Sequence, residues 1–270
     1  MTLRRKLFVS LVGLATLPLL ALTWLVHYEA GELLGAQADV NLVAVSRVLG
    51  ASVTSRVDLF RRDTITIAQT LAARGGLGLT ATENQLVDGL FSLAAGDPAI
   101  AALAVTRADG RLLGSWPALP RGTSVDVEQP LRFTKAVISG QDVIAVRVPI
   151  SEPGDSAAAF LVVEWRCLPL AEALSTAAAS WAVDQTRRWA VVVDAAGHTV
   201  ATMRTPRQLA AGGQHPAPRS GLRTHRELIA SLGWSVRVFE DADLATAPLY
   251  VLDAVLAVIF FLTLAGALGF

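Results

Sequence analysis

The stretch WAVVVDAAGHTVATM, residues 189–203, reads as two short strands around a turn, and AIAALAVTRADGRLLGSWP, residues 99–117, is its upstream counterpart. Apolar runs flank Asp194-Ala195-Ala196-Gly197 in one and Ala108-Asp109-Gly110 in the other. A tight polar turn ending in Gly between apolar runs predicts a β-hairpin. When Gly197 is set on Gly110, an offset of 87 residues, Ala195 falls on Ala108 and Val192 on Val105. A strand–turn–strand unit that recurs in this way predicts two similar modules in tandem. Asp109 and Asp194 are read as turn formers, because a short carboxylate bonds nearby backbone.

Upstream, Thr82 to Gln85 has the form of a capping box and opens a short helix to about Ala94, which Gly96-Asp97-Pro98 breaks. Ala99–Val105 and Arg111–Trp116 are the arms of the first hairpin. Phe133–Ile138, Val143–Ile150 and Ala157–Trp165 follow as strands, separated by Ser139-Gly140-Gln141 and Glu152-Pro153-Gly154-Asp155. Leu168–Val183 is rich in Ala and Leu and predicts a helix into the second copy. There Trp189–Val193 and His198–Met203 are strands, 204–220 is a loop, and Leu222–Leu232 with Trp234–Glu240 closes a second sheet over Gly233.

Between Tyr28 and Ala73 the chain has no proline. Leu34, Ala38, Leu42, Val45, Leu49, Val53, Val57, Phe60, Thr64, Ile67 and Leu71 recur at a period of about 3.7, as one face of a helix does. Such a stripe packs along its own domain, and its length also suits a partner helix in a homodimer. Arg74-Gly75-Gly76 ends it.

The composition is skewed, with 53% apolar and 17% charged residues in 270, against a usual charged share of about 25%. Two terminal blocks account for most of the skew. Leu7–Val26 is an uncharged run behind Arg4, Arg5 and Lys6, and twenty residues at about 1.5 Å each span a bilayer core of roughly 30 Å. Ala36-Gln37-Ala38 lies too far beyond the run for a usual cleavage site, so an uncleaved signal anchor is expected. Ala254–Phe270 is the second run, and the sequence stops within it, so a further cytoplasmic part is expected. The basic tip places the N-terminus in the cytoplasm and residues 27–246 outside it, in a bacterial periplasm. The formal net charge is zero, which removes any global attraction to nucleic acid. Cys167 is the lone cysteine, so no intrachain disulfide forms, and a buried, inert thiol is expected.

Taken together, AIAALAVTRADGRLLGSWP (99–117), VIAVRVPI (143–150), WAVVVDAAGHTVATM (189–203) and LGWSVRVFEDADLATAPL (232–249) resemble the double Cache family of extracytoplasmic sensor domains. The resemblance spans most of residues 28–250 and is greatest to the sensor regions of bacterial histidine kinases, including HWE-type kinases. It implies an α+β fold in which a long N-terminal helix carries two tandem PAS-like antiparallel-sheet modules, flanked by two transmembrane helices. The expected divisions are 1–27 (basic tip and first membrane helix), 28–80 (long helix), 81–184 (membrane-distal module), 185–246 (membrane-proximal module) and 247–270 (second membrane helix). The implied function is ligand sensing for a two-pass receptor. Its output is a histidine kinase; a diguanylate cyclase, a chemotaxis transducer or a non-signalling periplasmic binding protein are the alternatives. The chain itself is then no enzyme and carries no cofactor. Its partners are an unidentified small molecule or periplasmic protein, the lipid bilayer and a second copy.

Some members of the family hold amino acids through an Arg followed closely by Trp or Tyr. Here Pro130-Leu131-Arg132-Phe133 occupies that stretch, and the only tyrosines are Tyr28 and Tyr250, so that pattern is incomplete. Arg147 points to the opposite face of its strand from Ile144, Val146, Val148 and Ile150, where it meets either an anionic ligand or solvent. With it, Trp116, Arg132, Phe133 and Trp165 are the candidate ligand-binding residues, because aromatics and a few charges line such pockets. His27, His198, His215 and His225 lack metal-ligand spacing, and no nucleophile elbow or phosphate loop is present, so neither a catalytic nor a metal site is expected.

Overall fold

The computed structural model describes residues 3–73, 83–119, 130–135, 142–150, 159–179, 188–203 and 221–268. Helix α1 runs unbroken from Leu3 to Ala73 and takes Pro18 within it. Of the expected stripe, Ala38, Leu42, Leu49, Val53, Val57, Phe60, Thr64 and Leu71 are buried within the chain itself. Leu34, Val45 and Ile67 of the same stripe are half-buried.

Helix α2 (Glu83–Ala94) packs on the hairpin of β1 (Ile100–Arg107) and β2 (Leu112–Trp116). Strands β3 (Leu131–Lys135), β4 (Asp142–Ile150) and β5 (Ala159–Arg166) complete an antiparallel sheet in the order β2-β1-β5-β4-β3. Helix α3 (Leu168–Ala178) follows, with Pro169 in its first turn, where a missing N–H costs nothing. The expected helix reached Val183, and residues 180–187 lie outside the described ones, as do 136–141 at the expected end of the third strand. The second sheet contains β6 (Arg188–Val193), β7 (Thr199–Thr202), β8 (Leu222–Ile229) and β9 (Trp234–Asp241) in the order β7-β6-β9-β8. Strand β8 stops three residues short of the expected Leu232, because Leu232 N–H turns back to the Ile229 carbonyl at 3.0 Å. The expected loop 204–220 lies outside the described residues. Helix α4 (Ala242–Leu268) starts five residues earlier than expected.

The two hairpins share their local geometry at the offset read from the sequence. Arg107 N–H bonds the Arg111 carbonyl and Gly110 N–H the Arg107 carbonyl; Asp194 N–H bonds the His198 carbonyl and Gly197 N–H the Asp194 carbonyl. Gly110 and Gly197 have φ of 81° and 91°, a region that side chains rarely enter. The pairing slips between Val105 and Thr106 in one and between Val192 and Val193 in the other. Asp109 Oδ1 accepts from Arg111 N–H and Asp194 Oδ1 from His198 N–H, so both aspartates are turn formers.

The chain divides into two compact units, residues 46–214 with 226–237, and residues 1–45 with 215–225 and 238–270. The first is centred on the face of the five-stranded sheet that carries Leu103, Val105, Ile144, Val146, Val148, Leu161, Val163 and Trp165, all buried. Trp165 stacks on Phe60 of α1 at 4.8 Å between ring centroids and donates its indole N–H to Thr64 Oγ1 at 3.1 Å.

In the second unit, Arg223 of β8 donates to the Gly35 carbonyl of α1 at 2.7 Å and meets Asp39 at 3.2 Å. His27 of α1 and Asp253 of α4 pair at 3.1 Å. Asp39 is largely exposed, so its ion pair is screened, whereas the carbonyl bond lies closer to the interior. Replacing Arg223 with Ala is expected to cost about 1 kcal/mol in thermal or urea unfolding, and replacing Asp39 with Ala less than about half of that. Equal losses from the two would show that the ion pair, not the carbonyl bond, holds β8 to α1.

Backbone at 7–26 and 254–268 is helical, but most side chains of residues 3–20 and several of 244–248 and 260–268 lie outside the described ones. Among the described residues no helix is long and apolar enough to cross a membrane.

Candidate functional site: the second face of the five-stranded sheet

Side chains alternate along a strand, and antiparallel partners share a face. The register therefore sorts the sheet into two surfaces. Opposite the α1 side lie Ala102, Ala104 and Thr106 of β1, Ser115 of β2, Arg132 and Thr134 of β3, Ala145 and Arg147 of β4, and Phe160, Val162 and Glu164 of β5. One row across the sheet reads Arg132, Ala145, Glu164, Ala102, and the next reads Arg147, Val162, Ala104, Ser115.

This is an unusual surface for a sheet core. Ala104, Ala145 and Val162 form a buried floor of small side chains, with Leu112 packed beside it. Polar groups surround that floor: Thr106 is fully buried, Ser115 is 3% and Glu164 7% exposed. Thr106 Oγ1 has no hydrogen-bond partner among the described residues, and a buried polar atom without a partner is costly. Ser115 Oγ accepts from Leu119 N–H at 2.9 Å. Arg147 lies with its guanidinium 3.5 Å above the Phe160 ring centroid, and partial burial lowers its pKa from the usual value. The charge survives, since an arginine stays protonated at any physiological pH. Small floor, flanking guanidinium groups and a nearby carboxylate together suit a small molecule with a carboxylate or similar oxyanion, which Arg recognises through paired N–H donors.

Of the five residues proposed from sequence, the structure brings Arg132 and Arg147 together on this face. Trp165 faces α1 and is 1% exposed, so it is a core residue and not a lining one. Phe133 lies opposite Ile144 and Trp116 opposite Leu103, both on the α1 side, and Trp116 meets Phe91 of α2 edge-on. Sequence reasoning missed Glu164, Thr106 and Ser115. The available signal was a single carboxylate inside the apolar strand Phe160–Trp165, at alternate spacing from Val162. Arg147 itself is half-buried, and Val143 and Ala145 on its face are buried.

A cleft of about 580 Å³ lies elsewhere, between the end of α1 and β4, lined by Ile65, Ala68, Ala72, Val148 and Ile150 among others. Among the described residues no charged side chain lines it. Among the described residues no three His, Cys, Asp or Glu side chains gather as a metal site.

Cys167 is half-buried, and burial, reinforced by the Asp142 carboxylate, pushes its thiol up to about 12. The thiolate is the nucleophile, so in the folded chain Cys167 is expected to resist iodoacetamide at pH 8 and to react once urea unfolds the protein. Because the folded thiol ionises above the unfolded one, near 8.5, its contribution to stability is intact below that pH and is lost as pH rises toward 12. Fast native-state labelling at pH 8 would overturn this assignment.

No family model and no curated protein matches the sequence. Solved structures do match. The ligand-binding domain of the Campylobacter jejuni chemoreceptor Tlp3, in complex with L-valine, superposes with a TM-score of 0.52 at 11% identity, over 80% of this chain and 98% of that one. The sensor domain of the V. cholerae histidine kinase DctB gives 0.54 at 13% identity, over 78% and 97%. The ligand-binding domain of the Pseudomonas fluorescens chemoreceptor CtaA, in complex with L-serine, gives 0.52 at 15%, over 77% and 99%. At such identities the likeness is one of architecture. The long helix, the paired hairpins and the two antiparallel sheets of this chain are thus the double Cache fold of chemoreceptor and histidine-kinase sensor domains.

Proposed function

We propose that this chain is the extracytoplasmic ligand-sensing region of a two-pass receptor in a bacterial inner membrane. The observation that carries the reading is the second face of the five-stranded sheet, where Arg132, Arg147 and Glu164 flank a floor of Ala104, Ala145 and Val162. The ligand is a small carboxylate, held by the two arginines, with Glu164 placed to meet a cationic or hydrogen-bond-donating group. Binding of L-valine by Tlp3 and of L-serine by CtaA, molecules that carry both groups, agrees with this chemistry.

The membrane arrangement is read from sequence: Leu7–Val26 and Ala254–Phe270 cross the bilayer, the basic tip is cytoplasmic, and residues 27–246 are periplasmic. Residues 81–184 form the membrane-distal sensing module and 185–246 the membrane-proximal one. A histidine kinase is the proposed output, the class of DctB, and a chemotaxis transducer is the alternative favoured by the chemoreceptor likenesses. The receptor is a homodimer, for which exposed Leu33 and Val40 of α1 remain available. Ligand shifts a population between two arrangements by preferring one of them.

The test is a melting-temperature screen of the full chain in detergent against L-amino acids and small mono- and dicarboxylates. Saturable stabilisation by one of them supports the reading. No response to any carboxylate, with the protein folded, would sink it. Protease added to spheroplasts should digest residues 27–246 while sparing a tag on the N-terminus, and a digested tag would reverse the topology.

A further inference from the structure

We propose that a cleft between α1 and α3 is a second anion-binding site, separate from the sensing face. The cleft has a volume of about 300 Å³ and is lined by Ser52, Ser55, Arg56, Leu59, Arg62 and Ala173. Five of the six lie on α1 within one stripe, at spacings of three and four residues, so their side chains face one way. Arg56 and Arg62 are about 9 Å apart along the helix axis, close enough for two long side chains to converge on one small group from opposite ends. Ser52 and Ser55 line the same cleft on the N-terminal side of Arg56, and Leu59 lies between the two arginines. Ser52 Oγ already donates to the Ala173 carbonyl at 3.5 Å, which ties α3 to the cleft wall.

Among the described residues no carboxylate lines the cleft. Neither arginine makes an ion pair among the described residues, although Asp58 stands one turn before Arg62. Arg56 lies over the Phe60 ring at 5.2 Å, and its buried Nε has no hydrogen-bond partner among the described residues. A buried guanidinium N–H without an acceptor is costly to keep, and an oxyanion would satisfy it while neutralising two adjacent positive charges. A volume of this size, at the low end for ligand sites, admits phosphate or a small organic acid and excludes a peptide. The site is distinct from the sensing face, because α1 lies on the other side of the sheet, against Trp165.

The experiment is calorimetric titration of the full chain in detergent with inorganic phosphate at constant ionic strength, repeated on R56A, R62A, S55E and the double variant R132Q/R147Q. Saturable binding is expected, weakened about tenfold or more in R56A and in R62A and retained in R132Q/R147Q. S55E, at an exposed helix position, blocks the cleft by charge without removing a packed side chain, so it decides the outcome if R56A fails to fold. Absence of saturable binding overturns the proposal. So does binding that R56A, R62A and S55E leave unchanged, or binding that is lost only in R132Q/R147Q, which would assign the anion to the sensing face.

Discussion

Replacing Trp165 with Ala is expected to destabilise the chain by about 3–5 kcal/mol, as removal of a large buried aromatic does. The side chain is 1% exposed, stacked on Phe60 at an interplanar angle of 14°, and bonded through its N–H to Thr64 Oγ1. Truncation opens a cavity between α1 and β5 and strips Phe60 of its stacking partner. A domain has only about 5–15 kcal/mol of stability in all, so the variant loses a large share of it. Trp165→Phe separates the contributions. It keeps most of the ring contact and loses only the N–H bond, with an expected cost of about 1–2 kcal/mol. Urea denaturation of the full chain in detergent, followed by far-UV circular dichroism, measures both. If W165A unfolds within about 1 kcal/mol of the parent, the helix–sheet packing is not the main support of this unit.

Replacing Arg147 with Ala is expected to weaken carboxylate binding by about tenfold to a hundredfold, the range of a lost charge-assisted hydrogen bond. The cost to folding is smaller, about 1 kcal/mol from the lost stacking on Phe160, so the variant remains folded and the binding loss can be read. Arg147→Lys is the informative companion. It keeps the charge but not the planar pair of donors or the stacking, and should bind with intermediate affinity. Any carboxylate that stabilises the parent in the melting screen should do so far less in R147A. Undiminished stabilisation would remove Arg147 from the proposed site.

The elements most legible in the sequence are those whose determinants are local. Gly110 and Gly197 must adopt positive φ, and each announces its hairpin within a few residues of chain. The stripe on α1 is equally local, a repeat that a reader can count. Sidedness in the sheet is different, because it depends on which strands pair and in what register. Trp165 and Arg147 lie in neighbouring strands, yet Trp165 pairs with Ile144 and Arg147 with Val162, and those pairings send the two side chains to opposite faces. Aromatic character pulled Trp116, Phe133 and Trp165 into the expected pocket, when each serves the α1 side. Glu164 escaped notice for the converse reason. A lone acid inside an apolar strand looks like an outward-facing residue until the register shows small side chains around it.

The strand order β2-β1-β5-β4-β3 also bears on how the chain assembles as it is made. Strands β1 and β2 are neighbours in sequence and in space, and so are β3 and β4, so each pair can close as soon as it leaves the ribosome. Neither pair has the other as a neighbour in the sheet. Strand β5, the last of the five to be synthesised, lies between β1 and β4 and bonds to both. The two ribbons can therefore join into one sheet only once residues 159–166 have emerged, because β5 alone bonds to both.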